Sequence, residues 1–413
     1  MASGSPSGPA VRRPLLIATG LALGPVVALG LARFAYSLLL PAMRADLHWT
    51  FAQAGAMSTA NAVGYLAGAA AAGPLIAWRG NRWPYLGGLG LTGLTLLASG
   101  ASANFEVLLA LRLVAGATGA VVFIAGAGLV ARLVAGLAPG RAAVLLGSYF
   151  AGAGLGIVVS ALVVPPVVGL GAGGSWRSGW VILGGVSLVA LAGAAPAALH
   201  APEPTVSPGQ GVLGRPLGRL APALVAYGLF GAGYIAYVTF IVAFLKAEGR
   251  GPGSVTAFWA ILGAAAVLGA FAWGPLLGRL RGGRGAAAGL GVVAVGALLP
   301  LVLPGPAGDF ASAVVFGGAF LSVVTAVIDL ARRSLSPAQV GPAIAVLTVA
   351  FGIGQSLGPV LAGVLSDGPG GVRAGLVLSV ALLGAAVMVA LLQPAAPAPV
   401  GRTPSELPGG LSG

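Results

Sequence analysis

Residues 15–41 read LLIATGLALGPVVALGLARFAYSLLLP, an unbroken apolar run with one charge in it, Arg33. A bilayer's hydrocarbon core takes about 20 apolar residues per helix, so this stretch is long enough to cross once. The pattern recurs to the end of the chain. The same reading gives further spans near 51–77, 84–102, 106–131, 142–167, 178–199, 221–245, 254–277, 286–303, 310–331, 342–365 and 373–392. Composition agrees: 58% of the 413 residues are apolar and 7% charged, against about 25% charged in soluble domains. Twenty-one basic and eight acidic residues cannot cover a water-facing surface. The 71 glycines follow no collagen-like triplet and lie inside the apolar runs, where small residues let membrane helices pack closely. The expected fold is an all-α membrane protein of about twelve transmembrane helices.

The stretch 200–220, HAPEPTVSPGQGVLGRPLGRL, is polar and rich in Pro and Gly. It reads as a cytoplasmic linker between a six-helix bundle over 14–199 and a second over 221–393. The tails 1–13 and 394–413 have the composition of disordered segments. Arg12 and Arg13 ahead of the first run read as the flank of an uncleaved helix. With the N-terminus inside, fourteen basic residues fall in inner segments, among them Arg79, Arg82, Arg132, Arg141, Arg332 and Arg333. Five fall outside: Arg44, Arg177, Lys246, Arg250 and Arg373. Such a bias marks the cytoplasmic side, so both termini are expected in the cytoplasm and the protein in the inner (plasma) membrane. The net charge of +13 is thereby read as topology, not as a nucleic-acid surface.

The chain also repeats. Shifted by 201 residues, Gly30 meets Gly231, Ala35-Tyr36 meets Ala236-Tyr237, and Gly68-Ala69 meets Gly269-Ala270. Gly73-Pro74-Leu75 meets Gly274-Pro275-Leu276, and Gly88-Leu89-Gly90 meets Gly289-Leu290-Gly291. Parallel six-helix repeats place a site between the halves near the midplane.

These features resemble the major facilitator superfamily over essentially the whole chain. Gly73-Pro-Leu-Ile-Ala-Trp-Arg-Gly80-Asn-Arg82 resembles its first cytoplasmic-loop motif, G-x-x-x-D-R-x-G-R-R, with Ala77 at the acid's position. Leu108-x-x-x-Arg112-x-x-Ala115-Gly116-x-x-Gly119-Ala120 resembles the fourth-span pattern of proton-coupled members. The antiporter pattern of span 5 is half present, as Gly152-x-x-x-Gly156-Ile157. Span 11 carries a closer version, Gly354-x-x-x-Gly358-Pro359-x-x-Ala362-Gly363. Arg33-Phe-Ala-Tyr36-Ser-Leu-Leu-Leu-Pro41 and Phe351-Gly-Ile-Gly-Gln355-Ser-Leu-Gly358-Pro359 are similar to the YbfB-like branch. The resemblance implies two pseudo-symmetric six-helix bundles and secondary transport of a small solute by alternating access, with proton coupling expected.

A charge at bilayer depth costs about 2.5–3.5 kcal/mol and normally faces a cavity or a partner. Arg33 and Arg112, at similar depth, could clamp an anion through their planar donor forks. Alternatively Arg33 snorkels outward, and Arg112 binds loop carbonyls or Glu106. Tyr227, Phe230, Tyr234 and Tyr237 share one helix face; the repeat maps Arg33 onto Tyr234 and Tyr36 onto Tyr237, across a central cavity. Ser58, Asn61 and Tyr65 share a face of span 2, and Gln355 lies in span 11; each could line the site or bond a neighbouring helix. Asp329 could carry protons or form an ion pair with Arg332 or Arg333 one turn on. Glu106 is the other protonatable candidate. Substrate contacts are therefore expected from Arg33, Tyr36, Asn61, Arg112, Tyr234, Tyr237 and Gln355, and coupling from Glu106 or Asp329.

No enzyme signature is present. Cysteine is absent, His48 and His200 lie far apart, and there is no phosphate loop. No cofactor, metal or ATP is expected; the partners are a small solute, protons and lipid, and the protein is expected to be monomeric. Broad-specificity efflux and a non-transporting sensor or scaffold on the same fold are the competing readings; a channel would need a filter-like repeat that the sequence lacks.

Overall fold

In hydrocarbon every backbone N–H and C=O has to be bonded within the protein, so apolar runs of this length fold as helices. The computed structural model describes residues 13–169, 175–203, 215–273, 279–280 and 282–394. Twelve long helices run through them: α1 (Pro14–Asp46), α2 (Phe51–Arg79), α3 (Arg82–Ala101), α4 (Phe105–Val134), α5 (Pro139–Gly169) and α6 (Ser175–His200) in the first half. The second half holds α7 (Ala221–Ala247), α8 (Pro252–Ala272), α9 (Arg284–Val302), α10 (Pro306–Ser334), α11 (Pro337–Ser366) and α12 (Gly371–Leu391). Most of the expected linker, the tails before Arg13 and beyond 394, Arg281 and the Gly274-Pro275-Leu276 copy lie outside the described residues.

Eleven helices are long and apolar enough to cross a membrane. The exception is α3, whose run is diluted by Gly, Thr and Ser. Its buried Thr92, Thr95 and Ser99 hydroxyls donate back to carbonyls of their own helix, which satisfies them without water. α1 runs past the expected end at Pro41 to Asp46. A membrane-helix proline forfeits one amide bond, and neighbouring helices compensate.

The halves pack alike. α2 lies on α4, α3 on α6 and α1 on α5; correspondingly α8 lies on α10, α9 on α12 and α7 on α11. Register follows too: a Cβ on Gly68 would overlap the carbonyl of Ala117, and one on Gly269 would overlap that of Gly318, at the same displacement. Ser37 even donates to the carbonyl of its own repeat mate, Val238, at 2.5 Å. Two copies of one residue position can meet only where the pseudo-twofold axis passes.

Between the halves, α2 packs on α11, α5 on α8 and α1 on α7. Thr59 donates to the Ser356 carbonyl at 2.7 Å, Thr239 to Ser58 at 3.1 Å, and Trp259 to Ser160 at 3.1 Å. The Asp367 carboxylate accepts from the N–H groups of Phe51 and Ala52 at 2.7 and 2.9 Å. These hydrogen bonds lie toward the face opposite the chain termini, hereafter the distal face, whereas α5 and α8 also touch nearer the other face, where Phe271 lies against Gly147. The two halves are held together by hydrogen bonds at that end.

Candidate functional site

α1 and α7 are the most buried spans and meet at the axis, so their polar residues face protein rather than lipid. After Pro25, residues Val26–Phe34 of α1 wind as a π-helix, a local widening frequent at functional sites. Arg33 lies in its last turn, three residues beyond Gly30, where α1 and α5 touch backbone to backbone at Gly156.

Arg33 is 7% exposed and Arg112 2%; neither reaches a membrane surface. The Arg33 guanidinium lies over the Tyr65 ring at 5.2 Å, and its Nη2 has no partner. Arg112 Nη1 donates to the carbonyl of Ala32, beside Arg33, while its Nε and Nη2 are unpartnered. The rings of Tyr36 and Trp180 lie 5.2 and 5.4 Å from its guanidinium carbon. Glu106 is exposed in the first turn of α4 and is not an Arg112 partner in the structure.

Asn61 joins the arginines because α2 and α4 approach closely: a Cβ on Gly116 would overlap the Asn61 carbonyl. Its Nδ2 donates to the Arg112 carbonyl at 3.2 Å and its Oδ1 is unpartnered. From the second half, Gln355 Nε2 donates to the Tyr234 hydroxyl at 2.5 Å, leaving Oε1 free. Arg33 is an electrostatic neighbour of Arg112, Tyr65 and Tyr234, so the two halves meet here. Among the described residues eight buried side-chain polar atoms lack partners, and six belong to Arg33, Asn61, Arg112, Gln355 and Trp180. Each such atom costs about 1–3 kcal/mol if left so, which is why a cluster of them needs an explanation.

The structure thus gathers Arg33, Asn61, Arg112, Tyr234 and Gln355. Tyr36 and Tyr237 stand beside them with their hydroxyls already bonded. Tyr36 donates to the Ala54 carbonyl at 2.8 Å and stacks on Trp180. Tyr237 shares a hydrogen bond with Ser312 at 2.5 Å and stacks on Phe316 at 4.3 Å. Asp329, near the inner end of α10, pairs with Arg333 at 2.7 Å.

Three features escaped the sequence reading. Phe230, Tyr234 and Phe351 form a bank of nearly parallel rings, with Phe320 stacked on Tyr234. Phe230 and Tyr234 share the helix face that their spacing predicts; Phe351 and Phe320, aromatics in apolar spans, give no contrast. Asp309, expected just outside span 10, is buried in the first turn of α10 and pairs with Arg250 at 2.6 Å. Finally, the acid missing at Ala77 comes from elsewhere. Glu203, just after α6, accepts from the N–H groups of Asn81 and Arg82 at 3.0 Å each and lies 3.8 Å from the Arg82 guanidinium.

Two six-helix halves around a buried, polar and incompletely satisfied centre define a membrane transporter of the major facilitator fold. The chain belongs to the family described as uncharacterised MFS-type transporter YbfB, whose model matches residues 25–392. A comparison with curated proteins finds no match. Solved structures share the fold. A bacterial homologue of the human lysosomal transporter Spinster, inward-facing and occupied, has a TM-score of 0.70 at 18% identity, covering 94% of this chain and 97% of that one. A point mutant of the nucleoside transporter NupG has a TM-score of 0.69 at 16% identity, covering 92% and 97%.

Proposed function

We infer that this transporter carries a small organic anion, held where Arg33 and Arg112 converge and passed across the membrane by rocking of the two halves. One observation carries the reading: two buried guanidinium groups keep unpartnered nitrogens, and the described acids lie elsewhere. Asp309, Asp329 and Glu203 are paired with arginines; Asp367 caps α2 and Asp46 accepts from Trp176. Glu106 and Glu248 are exposed. An incoming carboxylate or phosphate would supply the missing charge through paired donor contacts.

With the termini in the cytoplasm of an inner-membrane protein, as the basic-residue bias indicates, the distal face is periplasmic. Protons are the proposed energy source, with Glu106 and Asp329 the carboxylates to neutralise first, and the monomer the working unit. The test is uptake of labelled organic acids into proteoliposomes, with and without a pH gradient. Arg33→Ala should abolish uptake of an acid that the wild type carries, and Arg33→Lys should restore it in part, because charge returns without the fork. Unchanged uptake by Arg33→Ala would remove the anion from the account.

A further inference from the structure

An anion answers the guanidinium groups and leaves the rest of the cluster unexplained. Asn61 Oδ1 is a buried acceptor with no donor. Its orientation is fixed, since the neighbouring Nδ2 faces a carbonyl that can only accept. Gln355 Oε1, on the opposite half, is also without a partner, although the Tyr234 hydroxyl beside its Nε2 can donate as well as accept and so does not fix that amide as the carbonyl fixes Asn61. A carboxylate brings acceptors and cannot satisfy the Asn61 oxygen. The ligand that fits has to carry an N–H or O–H donor as well.

The bank of rings supplies the second constraint. Phe230, Tyr234 and Phe351 lie 4.9–5.7 Å apart with planes within 22° of one another. Phe351 is only half-buried, and so is Tyr65 across from it on α2. The halves come together beside them, where a Cβ on Gly352 would stand 3.1 Å from Leu66. The Arg33 guanidinium lies over Tyr65, so cation and flat rings share one neighbourhood. Parallel aromatic faces favour an offset-stacked planar group over an aliphatic one.

We propose that the transported anion is a planar aromatic acid bearing an N–H or O–H donor on or beside its ring. This rests on the anion reading of Arg33 and Arg112. The acid group meets the guanidinium nitrogens, the donor meets Asn61 or Gln355, and the ring lies against Phe351 and Tyr65.

The test is ligand binding to the purified full-length protein, read by thermal stabilisation and by competition in a counterflow assay. The probes are the three hydroxybenzoate isomers, benzoate, 4-hydroxycyclohexanecarboxylate and 4-hydroxybenzamide, which remove donor, flat ring and charge in turn. The best hydroxybenzoate should bind at least about tenfold more tightly than each of the other three, because a site built around polar partners rejects analogues that leave them unpaired. Asn61→Ala should erase its advantage over benzoate. Phe351→Leu should shrink its advantage over the cyclohexane analogue. Acids that bind through Arg33 with equal affinity, whatever their ring or donor, would overturn the proposal and leave the anion reading standing. Acids that fail to bind, or bind equally well to Arg33→Ala, would overturn the anion reading itself.

Discussion

The first half of the molecule meets the axis with Arg33 and Tyr36, the second with Tyr234 and Tyr237 at the same repeat positions. The backbones around these pairs are matched closely enough for Ser37 and Val238 to touch. Their chemistry has nevertheless separated. The first half contributes guanidinium groups and an amide from α1, α2 and α4, with the Tyr65 ring under Arg33. The second contributes rings from α7, α10 and α11 and a single amide, Gln355. A symmetric scaffold therefore encloses an asymmetric site, with one wall suited to charge and the other to a flat apolar face. The packing of the helices has kept the repeat, while the residues at the centre have not.

Exchanging the walls should have the largest effect. Arg33→Tyr gives the first half the residue of its own repeat mate and should lower anion transport by at least about 100-fold, since a buried charge contact worth roughly 3 kcal/mol is lost. Tyr234→Phe removes only a hydroxyl from the ring wall and should cost less than about tenfold. Equal losses in proteoliposome uptake would mean that the walls are not specialised.

A smaller effect is expected where the halves touch. Asp367 holds the N-terminus of α2 from across the interface, combining two amide hydrogen bonds with a favourable helix dipole. Asp367→Asn weakens that latch by about 1–3 kcal/mol and should favour opening at the distal face. The chain has no cysteine, so Ser58→Cys gives a unique thiol in the interface. Its labelling by an impermeant maleimide from the distal side should speed up about tenfold in the Asp367→Asn background. An unchanged rate would show that Asp367 does not gate.

Much of this was legible in the sequence, for an identifiable reason. Span count and repeat rest on contrast between apolar runs and short polar loops, and Arg33 and Arg112 stand out as charges within such runs. Where contrast fails, so does the reading. Phe351, Phe320 and Trp180 are apolar residues in apolar spans, and nothing in the pattern says which way they turn. Asp309 was missed because it falls at a window edge, where one turn of extra helix decides between loop and core. Tyr36 and Tyr237 share a helix face with site residues, but face alone does not say that Ala54 and Ser312 already hold their hydroxyls. Glu203 illustrates the same limit from the other side: a loop lacking its own acid at Ala77 is served by one far along the chain.

The central claim is that Arg33 is held ready for a ligand and does little for the resting fold. It can be tested without knowing the substrate, by the melting temperature of the purified, ligand-free protein and of Arg33→Met. A buried cation whose Nη2 is unsatisfied and whose one charge contact is the face of Tyr65 strains the empty site, and an apolar side chain of similar length relieves it. The account predicts that Arg33→Met melts higher by about 2–4 °C, as expected for roughly 1 kcal/mol, while losing all stabilisation by added organic acids. A variant that melts several degrees lower than the wild type would mark Arg33 as a structural residue and contradict the account.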